Sequence, residues 1–248
     1  MVKKFFIAAF ALLAMATAAN AQTNLQVFYD FGRGHVTTTL EGFHMDNWGN
    51  TFFFIDYDYN NKDGHKIISP NNTYFEIARC LNFWQNSKLA PLSLQLEYNG
   101  GFGLAADAPV YATGSGFPVN NAFLAGVDYF LHTKDFKNTL NLKLLYKYFM
   151  YGGSETRSNQ NKIPLQFTAV WGCQDLFGLT GVRFSGFADV WTEFGNVVFL
   201  SEPQLWYNIG HLFGCDNFNI GGEVELSYNF AGMSGFNVKP CAGAKWVF

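Results

Sequence analysis

Ionisable residues in this chain repeat at intervals of two or four positions. Glu223 and Glu225 are separated by one residue, and Lys143 and Lys147 are four residues apart. Such intervals put side chains on one face of a β-strand. Carboxylates and ammonium groups aligned in this way on neighbouring strands would form a polar wall that can select solutes by charge.

Aromatic residues share the spacing of these charges. Phe28 stands two residues before Asp30, and Phe52 and Phe54 precede Asp56 at intervals of four and two. On a wet wall, such rings offer a stacking surface for a flat ligand such as a base or a sugar ring. Alternatively, the rings could fill space where loops fold inward, or a β-bulge could reverse the parity.

Residues suited to nucleophilic or metal chemistry are not arranged for it. A catalytic histidine needs nearby partners, but His35, His65, His132 and His211 lie in or beside predicted connections, and no Gly-x-Ser-x-Gly motif occurs. The four cysteines form no Cys-x-x-Cys pair and have no zinc-like spacing with histidine. We therefore expect no enzyme, no metal site and no cofactor.

The elements that carry the polar and aromatic residues are β-strands. From Phe236 to Phe248, apolar residues occupy one parity and mostly polar residues the other. Twelve such segments can be counted, most of them near the roughly 9–11 residues that a tilted strand needs to cross a bilayer. They predict an all-β fold, an antiparallel 12-stranded transmembrane β-barrel of the outer membrane. Trp246 and Phe248 would form the C-terminal signal for the outer-membrane insertion machinery.

The start of the chain predicts export. Lys3 and Lys4 precede an apolar run from Phe5 to Ala18, and Ala19-Asn20-Ala21 has small residues at its first and third positions. This pattern is typical of a signal peptide, here over 1–21, which leaves one barrel domain over 22–248. The location expected is the outer membrane of a Gram-negative bacterium. A membrane anchor is the alternative, but the run is too short to span a bilayer.

Composition favours membrane lipid over nucleic acid as a partner. Aromatic residues make up 19% of the chain, charged residues only 14%, and the formal net charge is −3. A barrel spreads its aromatic residues toward lipid and into two interfacial girdles, whereas an acidic balance argues against nucleic-acid binding. A soluble β-sandwich, the structural alternative, would normally carry many Lys and Glu residues on its outward parity.

The connections between the segments differ in length on the two sides of the predicted barrel. Three that follow odd-numbered segments are long, at 60–72, 100–121 and 151–162, and are rich in Gly, Asn, Ser and Pro. Most connections that follow even-numbered segments are shorter. Long external loops with short internal turns are the known asymmetry of outer-membrane barrels.

Two prolines and two cysteines bear on local structure. Pro164 and Pro203 fall inside predicted strands, which a bulge or a position near a rim would have to accommodate. Cys173 and Cys215 fall in predicted turns on the same side, so a disulfide between them and two free thiols are both open.

Lipid cannot satisfy a buried charge, so ionisable residues within the spans must face the lumen. Such a lumen is either a water-filled path that selects solutes or an interior plugged by an ion-pair network. Parity assigns to this inner wall Phe28, Asp30, Phe52, Phe54, Asp56, Glu76, Glu97, Asp128, Lys143, Lys147, Arg183, Asp189, Glu202, Glu223 and Glu225.

Short motifs resemble a known family. The segments 200–208 (LSEPQLWYN), 75–79 (FEIAR) and 52–56 (FFFID) are similar to segments of the nucleoside-specific channel-forming outer-membrane proteins, the Tsx-like channels, in a branch found in Bacteroides-type bacteria. The resemblance implies a monomeric barrel that passes nucleosides, with ligand sites built from lumen aromatics and ionisable residues. The residues that match this description are Phe28, Phe52, Phe54, Glu76, Arg79 and Glu202.

Arg79 does not fit the lumen by alternation alone. Counting from Glu76 puts Arg79 on the lipid parity, so a bulge or a place near the periplasmic rim would be needed. The function expected is passive diffusion of small solutes, with nucleosides as candidates. The alternative is a closed structural barrel whose loops bind a partner.

Overall fold

The computed structural model describes residues 21–60, 69–104, 116–150 and 164–248. Most of the predicted signal peptide, the central parts of the connections at 60–72 and 100–121, and the whole of that at 151–162 lie outside these ranges. Cleavage after Ala21 therefore stays a prediction.

The described residues form one closed antiparallel sheet. Most strands pair with their neighbours in the chain, and the first strand also pairs with the last, which closes the ring. The strands are β1 (Ala21–Asp30), β2 (His35–Asp46), β3 (Gly49–Asn60), β4 (Ser69–Leu81), β5 (Leu92–Leu104), β6 (Gly116–His132), β7 (Asn138–Phe149), β8 (Leu165–Gln174), β9 (Val182–Glu193), β10 (Asn196–Ser201), β11 (Gln204–Tyr207), β12 (Phe218–Tyr228) and β13 (Phe236–Val247).

The two short strands β10 and β11 are halves of one crossing, because both pair with β9 on one side and with β12 on the other. The chain therefore passes from one end of the barrel to the other twelve times, each passage being one crossing. The predicted 12-stranded barrel is confirmed. Two short 3-10 helices, Leu176–Gly178 and Gly210–Phe213, lie in connections. Within the described ranges, no helix is both long and apolar enough to pass through a bilayer.

Side chains alternate between an apolar outer face and a polar inner face. On β7, Leu144 is 50% exposed whereas its neighbour Leu145 is fully buried. Other outward side chains that remain exposed include Leu96, Phe123 and Phe167. This distribution is the reverse of a soluble sandwich, and it is what a lipid-facing surface requires.

Pro203 accounts for the division of the tenth crossing. A proline has no N–H to donate to the ladder, and the predicted strand from Val197 to Ile209 is interrupted at Glu202 and Pro203. The chain nevertheless stays in the sheet, because the Glu202 N–H donates to the Phe187 carbonyl at 3.1 Å and the Pro203 carbonyl accepts from Val224 at 3.1 Å.

Pro164 lies just before β8 rather than inside it. Its carbonyl accepts a hydrogen bond of 2.8 Å from the Lys147 N–H. The described part of the eighth strand begins at Leu165, and Ile163, where the alternation predicts its start, lies outside the described residues.

The two ends of the barrel differ. The first described residue, Ala21, and the C-terminal Phe248 lie at one end, here called the terminal end. The strand ends that flank the three long connections lie at the opposite end, the loop end. Strands β5 and β6 continue to Leu104 and from Gly116, so the predicted connection at 100–121 is shorter than expected. All four cysteines are free thiols, so Cys173 and Cys215 are not joined.

Candidate functional site: the barrel lumen

Paired residues on adjacent strands share a face of the sheet, so the register shows which side chains line the lumen. Trp206, for example, is paired with Arg183, and Lys143 with Asp128. Apart from Arg79, the register places the sequence-predicted lumen residues on the inner face: Phe28, Asp30, Phe52, Phe54, Asp56, Glu76, Glu97, Asp128, Lys143, Lys147, Arg183, Asp189, Glu223 and Glu225. Glu202 lies in the break between β10 and β11, two residues before Gln204, which is paired with the inward Glu223.

Arg79 lies on the outer face, and its assignment to the lumen is corrected. The register of β4 runs without a bulge from Glu76 to Arg79. Because the two residues are three positions apart, the side chain of Arg79 points to the opposite face from that of Glu76. Near the terminal end of β4, Arg79 forms an ion pair of 2.8 Å with Asp46 and donates to Thr51 Oγ1 at 3.0 Å. Trp246 also faces outward, consistent with the alternation of β13.

This placement makes a prediction about Arg79. Arg79→Ala should change the free energy of unfolding by only about 0–1 kcal/mol, because exposed ion pairs contribute little, and it should leave solute flux unchanged. Unfolding by urea and flux through proteoliposomes check both values, with Asp46→Ala as the matched partner variant. A large loss of flux in Arg79→Ala alone would contradict the outer position.

Water reaches much of the inner wall toward the terminal end. Phe43, which is paired with Phe52, faces the lumen and is nevertheless 38% exposed. Phe52, Phe54 and Glu202 are also only partly buried. This part of the lumen is therefore not filled by packed side chains of the described residues.

Two groups of aromatic rings lie in the lumen. Phe54 contacts Phe52 and Tyr74, with ring centroids 6.1 and 5.9 Å apart. In the second group, Phe28 of β1 meets Trp206 of β11 at 5.5 Å, and the Lys245 ammonium lies 4.1 Å from the Trp206 ring. Such faces can stack against a flat solute.

Acidic side chains gather near the break in the tenth crossing. Asp56 accepts from Thr39 Oγ1 at 2.5 Å, and Glu223 accepts from Gln204 Nε2 at 2.8 Å. Glu202 is repelled by the like charges of Glu223 and Asp56, and it has no hydrogen-bond donor among the described residues. The carboxylates are therefore only partly compensated by protein groups.

A tighter charge network lies toward the loop end. Arg33, in the β1–β2 turn, pairs with Asp30 at 2.7 Å and also with Glu225. Glu225 pairs with Lys239 at 3.2 Å and accepts from Ser227 Oγ at 2.9 Å. Alternation did not identify Arg33, because this residue falls in a connection. The glycines on both sides of it are the local signal of a tight turn.

An apolar cluster also lies inside the loop-end half of the lumen. Its members come from β6, β7, β9 and β10 and are at most 4% exposed. Alternation along β7 puts Leu145 and Phe149 on the face of Lys143 and Lys147, but it does not show that they meet Trp191. The cluster consists of Ala122, Leu124, Leu145, Phe149, Trp191 and Val198, and it narrows this half of the lumen.

Within the described ranges, no group of His, Cys, Asp and Glu side chains is arranged to hold a metal ion. The closest approach of a histidine to a carboxylate there is His35 Nε2, 3.5 Å from Asp58 Oδ1. The arrangement of the lumen is suited to contacting a solute by charge, hydrogen bonds and stacking.

Solved structures show the same fold at low sequence identity. The KdgM porin in complex with disordered oligogalacturonate has a TM-score of 0.50 and 10% identity, covering 92% of this chain and 99% of the porin. Outer membrane phospholipase A from Escherichia coli has a TM-score of 0.51 and 10% identity, covering 92% of each chain. At such identity the likeness shows the fold alone.

A family model, rather than a single relative, identifies the family. No curated protein matches the chain, and the resemblance to nucleoside channels stays a prediction. A family model described as "Domain of unknown function (DUF5020)" matches residues 21–248, the whole span from the first described residue to the last. This protein therefore belongs to the DUF5020 family.

Proposed function

We propose that this protein is an outer-membrane channel through which small solutes diffuse passively. The observation that carries the proposal is a closed barrel with an apolar outer face and a polar inner wall that water reaches, as the exposed Phe43 shows. A wall of this kind can conduct solutes, and its charges and rings can select them.

The charge of the inner wall favours neutral or cationic solutes. A wall with an excess of one sign attracts solutes of the opposite sign and repels those of the same sign. The polyanion oligogalacturonate, bound to the KdgM porin, would therefore be disfavoured here. Acidic side chains on this wall are Asp30, Glu41, Asp56, Asp58, Glu76, Glu97, Asp128, Asp189, Glu193, Glu202, Glu223 and Glu225, against Arg33, Lys143, Lys147, Arg183, Lys239 and Lys245.

Nucleosides are the solutes that the aromatic groups suit best. A nucleoside has a flat base, which can stack against Phe52 or Phe54, and ribose hydroxyls, which can donate to carboxylates such as Glu202 and Asp56. The partial exposure of these side chains leaves them accessible to a solute in the lumen.

Uptake of uridine into proteoliposomes tests this function. We expect uridine to enter faster than uridine monophosphate, because the phosphate adds negative charge. The double variant Phe52→Ala, Phe54→Ala should lower uridine uptake at low concentration several-fold and leave arabinose uptake unchanged, since only stacking is lost. Phe167→Ala, which removes an outward-facing ring, is the matched control.

A closed barrel is the second candidate, and the apolar cluster and the Arg33 network favour it because both narrow the loop-end half. In that case the connections outside the described residues would bind a partner. Folded protein that admits neither uridine nor arabinose would support this candidate and would contradict the channel.

A further inference from the structure

One group of charges in the loop-end half of the lumen is set apart by its composition. It comprises Glu76 on β4, Glu97 on β5, Lys147 on β7 and Asp189 on β9, all on the inner face. We call it the four-charge group. These residues are brought together only by the closure of the barrel, because their strands span half of its wall.

The group is acidic even though it contains a lysine. Glu97 and Asp189 are the charges that act most strongly on Glu76, and both repel it, whereas Lys147 attracts it. Lys143 lies outside the group, opposite Asp128 in the β6–β7 register, and also attracts Asp189. Within the group itself, three carboxylates are accompanied by one ammonium group.

Lys147 shows how this group binds an ammonium. Its Nζ lies 4.1 Å from the Trp191 ring centroid and donates to Gln166 Oε1 at 2.7 Å. The attraction of a cation to an aromatic face is strengthened when both are removed from water. The lumen here thus already contains the two components of an ammonium site, an aromatic face and carboxylates.

Two buried acceptors in the same group have no donor among the described residues. Asn99 is 2% exposed and lies on the inner face between Glu97 in its own strand and Glu76 in the next, and its Oδ1 has no donor among the described residues. Asp189 Oδ1 is likewise buried and unpartnered within the described ranges. Unsatisfied buried acceptors are costly, so a ligand that carries N–H groups would stabilise both.

We infer that the four-charge group, together with Asn99, is a binding site for a small organic cation that carries a primary ammonium beside a flat apolar ring. The ammonium is held by Glu76, Glu97 and Asp189 and donates to the free acceptors. The ring lies against Tyr74, whose side chain borders the group, is partly exposed and donates to Glu76 at 2.7 Å. This inference rests on the proposed channel and names the class of solute that the channel retains.

Calorimetry on the purified full-length protein in detergent micelles tests the site with two probes. Benzylamine is positively charged at neutral pH, and benzyl alcohol has a similar shape without the charge. We expect benzylamine to bind at least tenfold more tightly than benzyl alcohol. Glu97→Gln should weaken benzylamine binding at least tenfold, and Lys147→Met should strengthen it, because the competing ammonium is removed.

Asp135→Asn is the control, since this carboxylate lies in an exposed turn between β6 and β7. Asp189→Asn replaces Glu97→Gln if that variant does not fold, as judged by circular dichroism. Equal binding of the two probes, or unchanged benzylamine binding in the folded acidic-group variants, would overturn the site.

Single-channel recording separates this inference from the proposed function. Current steps without benzylamine block or binding would overturn the cation site and leave the channel intact. Silent bilayers with charge-selective binding in micelles would overturn the channel and support the cation site.

Discussion

Leu144→Arg should lower the free energy of unfolding from a bilayer by about 2–4 kcal/mol, the cost of an arginine on the lipid face of a barrel near the bilayer midplane. Leu144 lies in the middle of β7, points outward and is half exposed. Urea titration of the protein in lipid vesicles, followed by tryptophan fluorescence, measures this difference.

The matched control is Leu131→Arg. Leu131 also faces outward, but it is the second-last residue of β6, near the terminal end. There the side chain reaches the interface, so we expect a cost of only about 0–1 kcal/mol. Equal costs at the two positions would mean that the exposed apolar face is not in contact with hydrocarbon.

Phe149→Ala should lower the free energy of unfolding by about 3 kcal/mol or more, and it should raise the conductance, because removing a buried phenylalanine loses transfer free energy and leaves a cavity. Phe149 is 1% exposed and belongs to the apolar cluster on the inner face. In this protein the cavity would widen the narrow half of the lumen. Urea unfolding and single-channel current measure the two effects.

Phe123→Ala removes the same side chain from the outer face at nearly the same depth, since the neighbouring Ala122 is paired with Phe149. Phe123 is 51% exposed, so its loss should cost less and should leave the current unchanged. A Phe149→Ala variant with wild-type conductance would show that the apolar cluster does not limit the path.

Local alternation was enough to predict most of the fold. In β13, the outward Trp246 and the buried Lys245 differ by one residue, and this difference is already visible in the sequence. The same rule fixed the inward direction of Glu223 and Glu225. A period of two determines the face of a residue, because successive side chains point to opposite sides of a strand.

Contacts between distant strands were not predictable in this way. Phe28 meets Trp206 only because β1 closes on β13, and the residues of the apolar cluster come from four strands. Alternation does not give the distance between two side chains across a lumen. Arg79 shows a related limit, since a short motif that resembles the nucleoside channels indicated a lumen position that the uninterrupted register of β4 excludes.

The reversal potential of the protein in a planar bilayer, under a gradient of potassium chloride, tests the central proposal most directly. An open lumen with more carboxylates than basic groups should produce discrete current steps and a potential of the sign expected for potassium preference. Membranes that stay silent with folded protein, or a potential of the sign expected for chloride preference, would contradict it.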